Sequence, residues 1–136
     1  MTQEQKELLL KDLSSRFPYG VKIHAKYTEL GETIEVDGIV KMIDDDGVVG
    51  IEVIYDTSSA WTCVQIDNIK PYLFPLSSMT KEQTEELIKL INTGQNDNNE
   101  FMRSICRIEF YHKHHLDYRG LIPKGLAIDA AGLNIY

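Results

Sequence analysis

"VKIHAKYT", residues 21–28, decides the fold. Val21, Ile23, Ala25 and Tyr27 fall on one side of an extended chain, and Lys22, His24 and Lys26 fall on the other. Side chains alternate across a strand, so this period of two predicts a half-buried β-strand. The same rhythm returns downstream. "ETIEVDGIVKMI" (32–43) holds one or two further strands, with Gly38 as an expected bulge or kink. "VVGIEVIYD" (48–56) sets Val49, Ile51, Val53 and Tyr55 on one side, and "WTCVQID" (61–67) closes the series. Gly31, the run Asp44–Gly47 and "TSSA" (57–60) supply the turns. "NIKPYLFPL" (68–76) has two prolines and reads as an extended exit rather than a central strand. Four to six short antiparallel strands within 21–70 predict a small, strongly curved sheet, and an SH3-like barrel is the first expectation.

Helical patterns flank this sheet. In "MTQEQKELLLKDLSSRF" (1–17), Thr2 and Gln5 have capping-box spacing, and Leu9, Leu13 and Phe17 make a stripe widened by Leu10. "SSMTKEQTEELIKLI" (77–91) repeats the box with Thr80 and Gln83. After the polar loop "NTGQNDNN" (92–99), Phe101, Ile105 and Ile108 form a second stripe, with Met102, Cys106 and Phe110 beside it. Two helices are therefore expected within 80–115. Pro123 and three glycines forbid a long helix in 116–136, yet Leu121, Ile122, Leu126 and Ile128 are too apolar for a free tail. We expect that segment to pack back as an ordered strap. The expectation is a single α+β domain over 1–136.

Composition limits the function classes. At 136 residues the chain has room for one core, and its 43% apolar content is that of a globular protein. A net charge of −7 and a pI near 5.0 disfavour general binding to nucleic acid or an anionic membrane. Cys63 and Cys106 stand alone and read as reduced, buried thiols. The opening stretch lacks a signal-peptide pattern and no apolar run approaches the ~20 residues of a membrane span, so a cytoplasmic protein is expected. The charge is uneven. Residues 21–76 carry four basic and ten acidic residues, whereas 101–136 carry five basic and three acidic ones. An acidic sheet and a mildly basic end are the result.

Chemistry concentrates in "HKHHLDYRG" (112–120). His112 and His115 share a helix face, and Glu109 with His112 forms one E-x-x-H unit. Di-metal bundles need two such units plus further carboxylates, so neither a metal nor a cofactor is expected. Asp117, Tyr118 and Arg119 beside a histidine sketch an acid/base set, but no nucleophile motif accompanies them. The structural alternative is a helix end with its dipole complemented by His112 and Lys113, followed by a turn with Gly120 at positive φ. If a small anionic ligand such as a nucleotide binds, His112, Lys113, His115, Tyr118 and Arg119 are the candidate contacts.

Three stretches carry a resemblance. "LLLKDLSSRFPYGV" (8–21), "KPYLFPLSSMT" (70–80) and "HHLDYRGLIPKGLAIDAAGLNIY" (114–136) resemble a family of small hypothetical proteins of Bacteroides-type gut bacteria and their phages. Leu116 stands where that family usually has Phe, and Ala131 where Thr is common. The resemblance implies a phage or mobile-element origin and carries over no catalytic residues. It also implies constant ends around a variable sheet, so partner-specific contacts would fall on 22–66. The expected function is a non-enzymatic binding or adaptor protein that meets a protein partner through an acidic sheet face. Sequestration of an anionic nucleotide is the alternative, and a metal-dependent hydrolase ranks third.

Overall fold

A computed structural model describes residues 1–54, 59–93 and 100–136. Tyr55, half of the "TSSA" stretch and most of "NTGQNDNN" lie outside the described residues. In chain order the elements are α1 (Gln3–Arg16), β1 (Lys22–Glu29), β2 (Glu32–Ile43), β3 (Val48–Ile54) and β4 (Ser59–Gln65). Then come β5 (Ile69–Pro75), α2 (Lys81–Thr93), α3 (Glu100–Lys113), and the two-residue strands β6 (Leu116–Asp117) and β7 (Ile128–Asp129). The protein is α+β, with a mostly antiparallel sheet in the order β4-β3-β2-β1-β5-β6 and β7 beside β5.

Among the described residues the sheet path is open. β4 ends it on one side and the short β6 and β7 end it on the other, so the expected barrel does not close. β5 is not an exit. Its Ile69–Pro71 pairs antiparallel with β1, and its Tyr72–Pro75 pairs parallel with β6 and β7. Pro71 lacks an N–H, and it stands where β5 changes partners, which is how a proline survives inside a sheet.

The hairpins explain the register. Leu30 and Gly31 both have positive φ (51° and 81°), as a two-residue primed turn requires, and they align His24 with Asp37 and Lys26 with Glu35. Asp44 closes the β2–β3 turn by accepting from the Asp46 and Val48 amides, and Gly47 takes φ 83°. The β2 bulge falls between Val40 and Met42, not at Gly38. Gly38 has a different reason to be glycine: a Cβ there would lie 2.7 Å from the Glu52 carbonyl oxygen.

α1 covers the inner face of the sheet. Leu9 and Leu13 join Ile23, Val40, Ile51, Ile69 and Leu73 in the core. The stripe does not continue to Phe17, which is 40% exposed; Asp12 and Arg16 are the buried residues beside the two leucines. Both capping boxes form, Thr2 with Gln5 and Thr80 with Gln83, each pair exchanging bonds of 2.9–3.1 Å. In α3 the buried residues are Phe110 and His112, while Phe101 and Ile108 are exposed. Cys63 is exposed and Cys106 half-buried, so the expectation of two buried thiols fails; both are free. The tail after β6 is ordered, and Leu121, Leu126 and Ala127 enter the main core. Burying a leucine is worth about 1.5–3 kcal/mol, so this strap contributes substantially to the fold. No helix among the described residues is long and apolar enough to cross a membrane.

Candidate functional site

The residues of "HKHHLDYRG" are placed by the end of α3 and by the turn after β6. α3 stops because His115 adopts φ 56°, donating its amide to the His112 carbonyl. Asp117 then folds the chain over, its two carboxylate oxygens accepting from the Leu121 and Ile122 amides at 2.8 Å each. Gly120 supplies φ 71° in that turn.

The five predicted contacts separate into three places. His112 and Tyr118 meet directly, with Nε2 and the phenol oxygen 2.7 Å apart. Arg119 lies 4.9 Å from the centre of the Tyr118 ring and donates through Nε to Asp12 Oδ1 at 3.1 Å. His115 turns away and stacks on Tyr136, with centroids 3.7 Å apart and planes at 11°. Lys113 is exposed and reaches Glu86 at 3.4 Å.

Around Tyr118 the structure builds a buried ionic network that the sequence reading did not anticipate. Asp12 and Arg16, both fully buried, pair at 2.7 Å one helical turn apart. Arg16 also donates to the Leu116 carbonyl at 2.7 Å, and its guanidinium carbon lies 5.4 Å from the Tyr118 ring centre. One carboxylate thus holds two guanidiniums against one aromatic ring, joining α1 to the tail. Burial pushes the His112 imidazole below its ordinary range, helped by the Arg16 and Arg119 charges. His115 is pushed down to about 4, by burial first and by Arg16 next. Burial raises the Tyr118 phenol, against the lowering effect of Arg119. All three groups are held neutral, and their polar atoms face protein rather than a common cavity. Among the described residues no three His, Cys, Asp or Glu side chains gather as a metal would need.

A second constellation lies on the open face of the sheet. Asp37 Oδ1 receives the Tyr72 hydroxyl at 2.7 Å and lies 2.9 Å from His24 Nδ1. Burial raises the Tyr72 phenol, and the Asp37 carboxylate raises it further, so Tyr72 remains a donor. Two open cavities flank this triad. One of about 200 Å³ is bounded by Lys22, Asp37, Gly38, Ile39, Tyr72 and Ile135. The other, about 430 Å³, is bounded by His24, Lys26, Asn68 and Lys70 among others. The tail borders both, through Ile135 and Ile128. Alternation alone puts His24 outward, and the turn at Leu30–Gly31 gives its partner Asp37. Tyr72 arrives only through the β1–β5 pairing.

Toward β4 the same face becomes apolar. Ile39, Glu52 and Trp61 form one rung across β2, β3 and β4; Met42, Gly50 and Cys63 form the next. Met42 leans over Gly50, where an added Cβ would lie 3.0 Å from the Met42 Cβ. Trp61 is 63% exposed and Met42 42%. The carboxylates of this face are engaged: Glu35 by Lys26, Asp37 by His24 and Tyr72, Glu52 by Lys41. Glu35 is held below the ordinary carboxylate range by that hydrogen bond from Lys26. The acidic excess of the sheet region sits at its turns, in Glu29, Glu32, Asp44, Asp45, Asp46 and Asp67. Compared with protein-family models, curated proteins and solved structures, the chain has no significant match.

Proposed function

We propose that this is a non-enzymatic binding or adaptor protein that meets a protein partner through the open face of its sheet. The observation that carries the reading is Trp61. A tryptophan is large, rigid and costly to leave in water, and here it stands exposed on the edge strand, next to Glu52 and across β3 from Ile39 and Met42. Aromatic anchors with a polar surround are the composition of protein interfaces. His24, Asp37 and Tyr72, on β1, β2 and β5, supply oriented polar groups farther across the same face, and the acidic turns form a charged rim. Such a rim speeds encounter with a basic partner and makes binding salt-sensitive. The resemblance of the two ends to phage and mobile-element proteins supports an adaptor of that origin, with its variable sheet as the recognition part.

The test is affinity capture from gut-bacterial lysate with the natural chain and with Trp61→Ala. The reading expects proteins retained at low salt, released at high salt and lost with Trp61→Ala. Identical capture by the two chains would contradict it.

A second reading, a small anionic ligand, is favoured by one feature. Lys70 and His24 border the larger cavity, where Glu35 and Asp67 are occupied by Lys26 and Lys6. A thermal shift with nucleotides that disappears in Lys70→Ala would support it.

A further inference from the structure

We infer that β4 pairs with β4 of a second copy of this chain, antiparallel about a two-fold axis at Thr62. Among the described residues β4 pairs with β3 alone, so one side of its backbone offers unpaired amides and carbonyls. An edge strand of this kind is a template for another strand, and natural sheets usually blunt it with charge or proline. β4 has neither. Its sequence, "SAWTCVQ", is the one uncharged segment among the five long strands: β1, β2, β3 and β5 contain Lys22, Glu35, Glu52 and Lys70 respectively.

This absence of charge selects the occupant. Two-fold antiparallel pairing sets each residue opposite its mirror position in the same sequence, so any net charge on the strand would face itself. β4 meets its own copy without that penalty. Centring on Thr62 uses the whole strand. Thr62 then faces Thr62, and Trp61 faces Cys63 of the second copy. Both of those side chains project from the open face, where Trp61 is 63% exposed and Cys63 is exposed. Pairing would lay each indole over the neighbouring thiol and join the two open faces into one continuous surface. The chains each carry −7, with the sheet's acidic excess at its turns, so added salt should tighten this association. Salt weakens the partner binding proposed above, and the dimer is read with no partner present, so the two ideas can fail separately.

The experiment is sedimentation equilibrium over a concentration series, with the full chain and with Cys63→Lys and Trp61→Lys. These changes place a charge on an exposed strand position, so the monomer fold survives; circular dichroism melts check this. The expected result is a mass of twice 15.6 kDa for the natural chain at high concentration. Each lysine should raise the dissociation constant by about tenfold or more, since about 1.4 kcal/mol corresponds to that factor. A short bis-maleimide should trap the dimer through Cys63 in a Cys106→Ser background. A natural chain that stays at monomer mass, or a dimer indifferent to both lysines, would overturn the inference.

Discussion

Asp12 shows what one buried carboxylate does in this molecule. It holds Arg16 and Arg119 together, and removing it leaves two guanidiniums facing each other around Tyr118. Breaking a buried pair from one side costs about 3–5 kcal/mol, so Asp12→Ala should lower stability by that order in chemical denaturation. Replacing Asp12, Arg16 and Arg119 together by apolar residues should cost less than Asp12→Ala alone. The pair is half legible in the sequence. Asp12 and Arg16 stand four apart beside Leu9 and Leu13, but a charged residue on an apolar stripe is read as the stripe's edge. Its long-range partners, Arg119 and the Leu116 carbonyl, have no local signal. The histidines carry a pH dependence. An ordinary histidine is protonated near 6.5, whereas His115 in the folded protein waits until about 4. The unfolded chain therefore binds more protons between those values, so stability is lost as pH falls from about 6.5 to about 4; above that window His115 has no effect. Melting temperature against pH should show this slope. His115→Asn, which also tolerates the left-handed backbone, should flatten it, leaving the smaller contribution of His112.

At the scale of elements, the β1–β2 hairpin is the part most open to reading. Alternation in 21–28 assigns the faces, and a two-residue turn at Leu30–Gly31 then dictates every pair, including His24 with Asp37. What composition obscures is that Leu30 occupies a turn position that favours asparagine. Leu30 is 99% exposed at φ 51°. Leu30→Asn should therefore stabilise the protein by roughly 0.5–1 kcal/mol, visible as a higher melting temperature. Gly38→Ala should do the opposite, costing about 1–3 kcal/mol, because the new methyl meets a backbone oxygen that cannot move without breaking the β2–β3 ladder. β5 resists sequence reading for a physical reason. Its prolines argue against a central strand, and only its mid-strand change of partners removes the objection. The open barrel has a related origin: strand count is local information, whereas closure depends on where β4 and the tail end up. α3 misleads in another way, since its Phe101 and Ile108 are apolar but outward, and burial falls on Phe110 and the polar His112 instead.

For the whole molecule, the distribution of roles follows from these contacts. The chain's richest run of titratable groups, 112–120, is largely spent on joining α3, α1 and the tail, with His112, His115 and Tyr118 held neutral. The open face of the sheet keeps its exposed tryptophan free of such duties, while the His24–Asp37–Tyr72 cluster ties β1, β2 and β5 together farther across it. Net charge was a fair guide to the sheet region as a whole, but only the register shows that the acids gather at its turns. Trp61→Ala, on the exposed face, should leave the melting temperature nearly unchanged while altering recognition. The most direct test of this division is thermal unfolding of the chain ended at Gly120 beside the full chain, followed by circular dichroism. The account predicts that the shortened chain, deprived of Leu121, Leu126, Ala127 and the Tyr136 stack, shows no cooperative transition. A sharp melt close to that of the full chain would contradict it.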